Sequence, residues 1–483
     1  MTRPTMPNEY PLGSFDGVTR AGAPTAFLAD LESEGLSFAV DIESRAEHGR
    51  DWWPLTIAGV AKGQVPYWPS VVVHATSTDD VRRLLVLAAG HRIPVTPQGG
   101  RSSVVGGAVA PTGGVALDLT GVNRVIEIND VSGTVRVDAG LFGPELERQV
   151  QERGWTVGHL PQSFELSTVG GWIACRGAGQ YSNRYGKIED IVRALTVVLA
   201  SGDVIELGGH GPRQAVGPDL LQLFIGSEGT LGVITEATLV MHPVPGTQRR
   251  AAYSFANFDE GLDACRRVLQ RDARPAVLRL YDEIESTRNF KVAACALIVL
   301  DEGDRHLVDA TMSIVEEECN DATTLDESLV GQWLQHRNDV GALGPLWERG
   351  YVVDTIEVAG PWSILSNMRE RVVTSLSTLP DLTVISVHQS HAYLDGACLY
   401  FTFAGKPDRD AEGFYRDAWD LATGAVLDSG GALSHHHGVG RNRARFVKRA
   451  LGSAFPLWAT LKQQFDPLNI MNPGVLGVGG DPW

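Results

Sequence analysis

The chain has 483 residues, and at ~100–200 residues per domain we expect two or three domains. Hydrophobic residues make up 43% and charged residues 20% of the chain, which excludes a largely disordered protein. The net charge of −17 argues against nucleic acid or an anionic bilayer as a partner, although it leaves room for a local basic pocket.

The sequence shows no sign of secretion or of a membrane span. Its five cysteines are scattered without a Cys-x-x-Cys pair, which argues against a disulfide framework or a cysteine zinc site. The longest strongly apolar stretch, residues 292–300, is far shorter than the ~20 residues of a membrane helix. The N-terminus lacks a basic segment followed by an apolar run. We therefore predict a cytoplasmic protein without a transmembrane segment.

Residues 69–97 predict a β-α-β unit. A β-branched run at 69–75 precedes a helical pattern in which Val81, Leu84, Leu85 and Ala88 share one face. A second strand follows at 92–97. The next segment differs from the Rossmann pattern, because its three Gly-Gly pairs, at 99–100, 106–107 and 113–114, are packed into a loop and do not open a helix.

The rest of the chain divides into three parts. Short strands, a helix that begins at Pro144 and a hairpin over 191–209 with a Ser-Gly-Asp turn complete a first domain, residues 1–247. Amphipathic helices at 259–270, 305–318 and 363–379 alternate with strands in a second α+β domain, residues 248–430. We expect residues 431–483 to return to the first domain.

Three glycine-rich stretches occupy residues 97–114, 161–179 and 225–237. Glycine lets the backbone approach a ligand closely and turn its N–H groups towards an anion. One such stretch by itself could be a plain connection between strands. Three stretches in one domain predict a groove, lined by backbone, for a long phosphate-bearing cofactor.

These motifs resemble a known family. The order of PQGGRSS at 97–103, FELSTVGGWIA at 164–174 and GSEGTLGVITEA at 226–237 is similar to the PCMH-type FAD-binding domain of the vanillyl-alcohol-oxidase superfamily. The later motifs DTIEVAGPW, YFTFAG and SHHHGVG resemble alkyldihydroxyacetonephosphate synthase, and the likeness covers residues 45–475. It implies an α+β, two-domain PCMH-type FAD-binding fold with a separate α+β substrate (cap) domain.

The resemblance also implies which residues contact FAD. In this chain they are Pro97, Gln98, Gly99, Gly100, Arg101, Ser102, Ser103, Gln162, Ser163, Phe164, Glu165, Leu166, Ser167, Thr168, Cys175, Arg176, Gly177, Ala178, Glu228, Gly229, Thr230, Leu231, Gly232, Val233 and Ile234. Arg101 departs from the family pattern and could either add charge to the pyrophosphate or point outwards into solvent. Because no histidine lies in the first loop, we expect non-covalent FAD.

The run His435-His436-His437 has three interpretations. A metal site is disfavoured, because adjacent residues of an extended segment face opposite sides, and we predict no metal. One histidine could be buried in a structural loop. We favour imidazoles that face the flavin or substrate and donate a proton or hold positive charge, a role that the resemblance supports for His436 and His437.

Tyr400 and two arginines complete the predicted site. Tyr400 could be an ordinary packed strand residue, but the resemblance makes it the acid/base tyrosine. Arg279 lies in an apolar strand and needs a partner, and Arg337 could instead end a surface helix. We expect either guanidinium to bind a phosphate or carboxylate of the substrate. His388 and His391 are secondary pocket candidates.

For function, the resemblance implies exchange of the acyl group of an acyl-dihydroxyacetone phosphate for a fatty alcohol through a flavin adduct, without net redox change. The alternative is an FAD-dependent dehydrogenase or oxidase of a 2-hydroxy acid or alcohol, since function resides in the site and not in the fold. A flavin-binding protein without catalysis would have no need of clustered titratable groups. We expect a small-molecule or lipid-like substrate, and a homodimer remains open.

Overall fold

The computed structural model describes residues 22–61, 64–341, 344–408 and 410–480. The N-terminal residues on which the prediction of no secretory signal rests lie outside these ranges. No helix within these ranges combines the length and the apolar character needed to cross a bilayer.

The regular elements alternate between strands and helices along the whole chain. The strands are β1 Ser37–Ala39, β2 Val71–His74, β3 Val95–Gln98, β4 Val115–Asp118, β5 Val125–Asn129, β6 Thr134–Asp138, β7 Trp155–Thr156, β8 Val192–Val198, β9 Val204–Gly208, β10 Val233–Val240, β11 His242–Pro243, β12 Thr247–Phe255, β13 Val277–Tyr281, β14 Cys295–Gly303, β15 Thr323–Leu325, β16 Val352–Pro361, β17 Leu382–Ala392 and β18 Gly396–Gly405. The α-helices are α1 Thr25–Ser33, α2 Ile42–Glu47, α3 Pro54–Ala61, α4 Thr78–His91, α5 Gly143–Gln151, α6 Val169–Ala174, α7 Ser182–Tyr185, α8 Ile188–Ile191, α9 Leu221–Phe224, α10 Phe258–Gln270, α11 Glu283–Phe290, α12 Arg305–Glu318, α13 Ser328–His336, α14 Gly344–Glu348, α15 Trp362–Leu376, α16 Ala411–Asp428, α17 Val447–Leu451 and α18 Phe455–Phe465.

The predicted β-α-β unit forms the first sheet, whose strand order is β1-β2-β4-β3. Strands β2 and β3 each pair with β4 in parallel. Between them, helix α4 begins where the Ser77 side chain accepts a hydrogen bond from the Asp80 amide, a usual N-cap. The four apolar residues predicted to share a face of α4 are all buried. Local capping and 3.6-residue periodicity therefore decide this unit.

The second sheet has the order β5-β6-β10-β8-β9, and all of its pairs are antiparallel. Strands β8 and β9 form the hairpin predicted at the Ser-Gly-Asp turn. The short helix α6, which lies within the second glycine-rich stretch, packs against β10 of this sheet, and Trp172 and Ile173 of α6 lie in its hydrophobic core.

The second half of the chain builds a seven-stranded antiparallel sheet, in the order β15-β12-β14-β13-β17-β18-β16. Helices α10, α12, α15 and α16 pack on it and bury a large apolar core around Leu278, Leu399, Phe401 and Trp419. The helices predicted at 259–270, 305–318 and 363–379 are α10, α12 and α15.

One row of polar residues crosses this sheet on a single face. Tyr281 of β13 is opposite His388 of β17, His388 is opposite Tyr400 of β18, and Tyr400 is opposite Glu357 of β16. Directly opposed residues of neighbouring strands point to the same face. The sheet register thus brings together four side chains that are far apart in sequence.

The C-terminal segment contacts the first half of the chain. Met471 forms a parallel bridge with Val95, and the buried Lys462 ammonium donates to the carbonyl of Thr230. An antiparallel bridge between Ala359 and Ala432 ties the beginning of the segment to β16. The domain limits at residues 247 and 430 stay a prediction.

Candidate active site

A cavity of about 1170 Å³ lies between the glycine-rich stretches and the polar face of the seven-stranded sheet. Ligand pockets usually measure ~300–1000 Å³, so this cavity has room for a cofactor together with a substrate. All three glycine-rich stretches contribute to its wall, and so do Tyr400, His436, His437 and both predicted arginines.

Glycine is required where the first two stretches meet. A Cβ atom at Gly99 would lie 2.2 Å from the Thr168 hydroxyl oxygen, and a Cβ atom at Gly100 would lie 1.8 Å from the Leu166 carbonyl oxygen. Any side chain at either position would force the two stretches apart. The third stretch touches the first as well, since a Cβ at Gly229 would contact the Pro97 ring at 3.0 Å.

Most of the predicted FAD contacts line the cavity, and five do not. The five are Phe164, Glu165, Arg176, Thr230 and Leu231. Leu231 belongs to the apolar core, and the Thr230 hydroxyl donates to the Ser227 carbonyl instead. Arg176 turns away towards Glu189 and Gln222, Phe164 packs on Trp172, and Glu165 is exposed.

Arg101 does not point outwards into solvent. Its side chain is 2% exposed and pairs with Glu47 of α2 at 2.6 Å, and Arg101 also borders the cavity. The outward alternative is therefore wrong. Because Arg101 has a positive φ of 55°, the chain bends sharply here, and the ion pair anchors that bend to α2.

The phenol of Tyr400 accepts a hydrogen bond from the Thr355 hydroxyl at 3.0 Å, and the His437 Nε2 atom lies 3.5 Å away. Its ring stacks on His388 at a centroid distance of 4.8 Å. Loss of bulk water raises the pKa of Tyr400 above its ordinary value, so the phenol is neutral and suited to donate a proton.

A buried carboxylate that the sequence analysis missed holds the histidine run in place. Glu357 of β16 accepts hydrogen bonds from the backbone N–H groups of His435, His436 and His437, at 2.5, 3.2 and 3.0 Å. The Glu357 side chain is fully buried and forms an ion pair with Arg443 at 3.0 Å. Burial alone would raise its pKa, but the Arg443 charge brings the pKa of Glu357 well below the usual range.

The three imidazoles are neutral in the free protein. Burial lowers the pKa of His435 to about 3 and that of His437 to about 4, and it lowers the pKa of His436 as well. Of the two roles expected for them, proton donation fits this state and a standing positive charge does not.

Ligand atoms of Glu357, Cys398, His435 and His436 lie within 4.8 Å of one another. The Glu357 carboxylate in this cluster is already bound by Arg443 and by three backbone N–H groups. The absence of a metal stays a prediction.

Both predicted arginines border the cavity, and no carboxylate lies within ion-pair distance of either one in the described part of the chain. Arg279 donates to the Tyr281 oxygen at 3.1 Å and to His388 Nε2 at 3.0 Å, whereas Arg337 donates to the Gln180 side chain at 2.9 Å. Their guanidinium carbons lie 5.4 and 5.9 Å from the ring centre of Trp333. Two positive charges without acidic partners therefore face the cavity.

Arg337 does end a helix, because it is the C-cap of α13, but it is half-buried and contacts the cavity. Trp333 lies one turn earlier in the same helix, so one element supplies both groups. Neither Trp333 nor Glu285, whose carboxylate accepts from His388 Nδ1 at 2.8 Å, was found from the sequence.

Two family models match the chain. One, the FAD binding domain, covers residues 69–208, and the other, the C-terminal domain of FAD linked oxidases, covers residues 244–476. FAD-linked oxidoreductase YgcU of Escherichia coli (strain K12) is 32% identical over 437 residues, which cover 84% of this chain and 89% of the relative. The chain belongs to the FAD-linked oxidase family.

Other relatives carry different activities in their names. Alkyldihydroxyacetonephosphate synthase of Dictyostelium discoideum is 31% identical, over 85% of this chain and 74% of the relative. Glycolate oxidase subunit GlcD of Bacillus subtilis is 27% identical, over 86% of this chain and 90% of the relative. The family thus includes more than one reaction.

Solved structures confirm the predicted fold. An alkyldihydroxyacetonephosphate synthase structure matches with a TM-score of 0.79 and 26% identity, over 95% of this chain and 87% of that one. A p-cresol methylhydroxylase structure shares the fold, with a TM-score of 0.75 at 18% identity. The chain has the two-domain FAD-binding fold of the vanillyl-alcohol-oxidase superfamily.

The residues present fit the FAD that the family implies. The glycine-rich stretches expose backbone where a Cβ atom would fill the space. His159, just before the second stretch, is buried in the cavity wall, and neither of its ring nitrogens has a hydrogen-bond partner within the described residues. A buried polar group without a partner is costly, so His159 fits a bound polar ligand.

Substituting Gly100→Ala tests the glycine contact. Overpacking of this kind costs ~1–3 kcal/mol, and we expect the dissociation constant for FAD to rise roughly 10- to 100-fold. The amount of flavin released from each purified variant gives its FAD content, which falls as the dissociation constant rises. Gly90→Ala in α4 is the matched control, because a Cβ there meets nothing within 4 Å. Equal FAD content in both variants would contradict the assignment.

Proposed function

We propose that the protein is an FAD-dependent enzyme that acts on a small organic anion held in the cavity, and that it exchanges an acyl for an alkyl group, as its resemblance to alkyldihydroxyacetonephosphate synthase implies. The observation that carries the proposal is the meeting, in one cavity, of the glycine-rich stretches, Tyr400 with the neutral histidines, and two arginines without acidic partners. FAD bound there would supply an electron-accepting ring beside the substrate.

Each group of the chain has a task under this proposal. Arg279 and Arg337 bind the phosphate or carboxylate of the substrate, because a planar guanidinium donates to two anionic oxygens at once. Tyr400 gives a proton to the reacting group, and Thr355 orients the phenol. The cavity walls keep water away, which strengthens each of these interactions.

The second candidate is the oxidation of a 2-hydroxy acid. It is supported by the likeness to glycolate oxidase subunit GlcD and by the same arginines, which suit a carboxylate as well as a phosphate. A neutral imidazole of the cavity wall, His436 or His437, would then accept the hydroxyl proton, because the Tyr400 phenol already carries its own. The proposed exchange is favoured by the synthase-like motifs around Tyr400 and the histidine run, and by the synthase of Dictyostelium discoideum, which is 31% identical against 27% for subunit GlcD.

Mixing the FAD-loaded protein with each class of substrate in the absence of oxygen distinguishes the two candidate functions. Under the exchange proposal, the yellow protein incorporates a fatty alcohol into an acyl-dihydroxyacetone phosphate and consumes no electron acceptor. Bleaching of the flavin by a 2-hydroxy acid, followed by dye reduction, would favour oxidation. A protein that takes up no FAD would support neither.

Substituting Arg337→Gln tests the anion site. A hydrogen bond to a charged group contributes ~1.5–3 kcal/mol, so we expect kcat/KM to fall roughly 10- to 100-fold, mainly through a higher KM. Initial rates over a range of substrate concentrations measure this. Arg274→Gln is the control, since that exposed arginine pairs with Asp272 at the surface and does not line the cavity. An unchanged KM in Arg337→Gln would remove Arg337 from the anion site.

A further inference from the structure

A continuous chain of hydrogen bonds connects two imidazoles of the cavity wall. His391 Nδ1 lies 2.7 Å from the Ser182 hydroxyl, which lies 3.1 Å from the Tyr393 hydroxyl. The Tyr393 hydroxyl lies 3.0 Å from His435 Nε2, and His435 Nδ1 lies 2.9 Å from His436 Nδ1. The rings of His391 and His436, at its two ends, both line the cavity.

Every inner member of this chain can donate one hydrogen bond and accept another. Serine and tyrosine hydroxyls do so, and so does a neutral imidazole. The end atoms, Nε2 of His391 and Nε2 of His436, have no hydrogen-bond partner among the described residues. Burial lowers the pKa of His391, His435 and His436, which agrees with neutral rings along the whole hydrogen-bond chain.

The residues of this hydrogen-bond chain come from three distant parts of the sequence. Ser182 begins α7, Tyr393 follows β17, and His435 and His436 belong to the C-terminal segment. The Asn183 side chain accepts from the Ala392 amide at 3.0 Å and fixes α7 to β17. Lys187 donates to the His435 carbonyl at 2.7 Å.

We propose that Ser182, Tyr393 and His435 form a proton relay that joins His391 to His436, so that a proton taken from the substrate at one imidazole is matched by a proton given from the other. When His391 Nε2 takes up a proton, its Nδ1 proton passes to Ser182, the Ser182 proton to Tyr393, and the Tyr393 proton to His435 Nε2. The Nδ1 proton of His435 then passes to His436 Nδ1, and His436 releases its Nε2 proton into the cavity. Every member stays neutral, and the reverse direction uses the same bonds.

The relay rests on the proposed function only in that a substrate occupies the cavity. It lets a proton leave one position of the substrate and return at another without entering bulk water. The fold orients each donor and acceptor of the relay before substrate binds, and proton transfer between groups positioned in this way is faster. His391 and His436 are the catalytic ends, whereas Ser182 and Tyr393 are positioning residues that act through them.

The first test is independent of turnover. Nitrogen-15 NMR of the FAD-loaded, histidine-labelled protein identifies the tautomer of each ring. We expect His391 and His435 to carry the proton on the same ring position, and His436 to carry it on the opposite one. A charged imidazole at neutral pH, or His391 and His435 with opposite tautomers, would break the donor order and overturn the relay.

The second test uses Tyr393→Phe, Ser182→Ala and the double variant. We expect each single variant to keep its FAD and to lose kcat by about 10- to 100-fold at unchanged KM. The double variant should be no slower than either single variant, because one substitution already interrupts the hydrogen-bond chain and the second removes nothing further from proton transfer. Losses that add, or native turnover in Tyr393→Phe, would contradict the relay. If no substrate turns over, the proposed function fails while the tautomer test still decides the relay.

Discussion

Substituting Tyr400→Phe should lower kcat by about 10²- to 10⁴-fold while the protein keeps its FAD, since a positioned proton-transfer group contributes a factor of this size. The phenol accepts a hydrogen bond from the Thr355 hydroxyl and lies 3.5 Å from His437 Nε2, and its raised pKa keeps it protonated. Single-turnover rates of the FAD-loaded protein measure the effect on the chemical step.

The control for Tyr400→Phe is the loss of a hydroxyl elsewhere in the same sheet. Tyr253 of β12 is also buried but does not line the cavity, and we expect Tyr253→Phe to turn over at the native rate. If Tyr400→Phe keeps native turnover, the tyrosine has no part in the mechanism. If it loses FAD instead, the ring serves binding and not proton transfer.

Substituting Glu357→Gln should lower the free energy of unfolding by about 3–5 kcal/mol, because removing one partner of a buried ion pair leaves the other charge uncompensated. Arg443, the partner, is fully buried and stacks on Trp419. The amide would also point its N–H group at backbone donors of the histidine run, so we expect kcat to fall as well. Denaturant unfolding and initial rates measure the two effects.

Two comparisons make this prediction sharp. Glu147→Gln removes another buried carboxylate, which accepts a hydrogen bond from the Val157 amide. Within the described residues no cation lies at ion-pair distance from Glu147, so this substitution should lower the free energy of unfolding by only ~1–3 kcal/mol. Adding Arg443→Met to Glu357→Gln should restore part of the lost stability. An unfolding midpoint in Glu357→Gln equal to that of the native chain would contradict the assignment.

At acid pH, the difference in free energy of unfolding between Glu357→Gln and the native chain should become smaller. The pKa of Glu357 is lower in the folded than in the unfolded chain, so its stabilisation is fully present above the unfolded pKa of ~4.3. It is lost as the pH falls through the folded value, where the carboxylate takes up a proton.

Much of the scaffold was predictable from the sequence because local rules decide it. The N-cap and apolar spacing place α4, a Ser-Gly-Asp turn places the hairpin of β8 and β9, and Pro144 lies in the first turn of α5. The glycine-rich stretches are equally local signals, because only glycine allows backbone to approach as closely as Gly100 approaches Leu166. These features led to the correct superfamily and to FAD.

The environment of each functional side chain depended on the tertiary structure. Glu357 meets the histidine run across 78 residues, and Ser182 meets His391 across 209. Such contacts follow from strand register and from how the C-terminal segment returns, for which the sequence carries no short-range signal. The charge states follow from burial in the folded chain, which makes the histidines neutral where the sequence alone allowed them to be positive. The sequence by itself thus determined the family, the cofactor and most elements, while only the folded chain decided which polar groups meet and which of them carry charge.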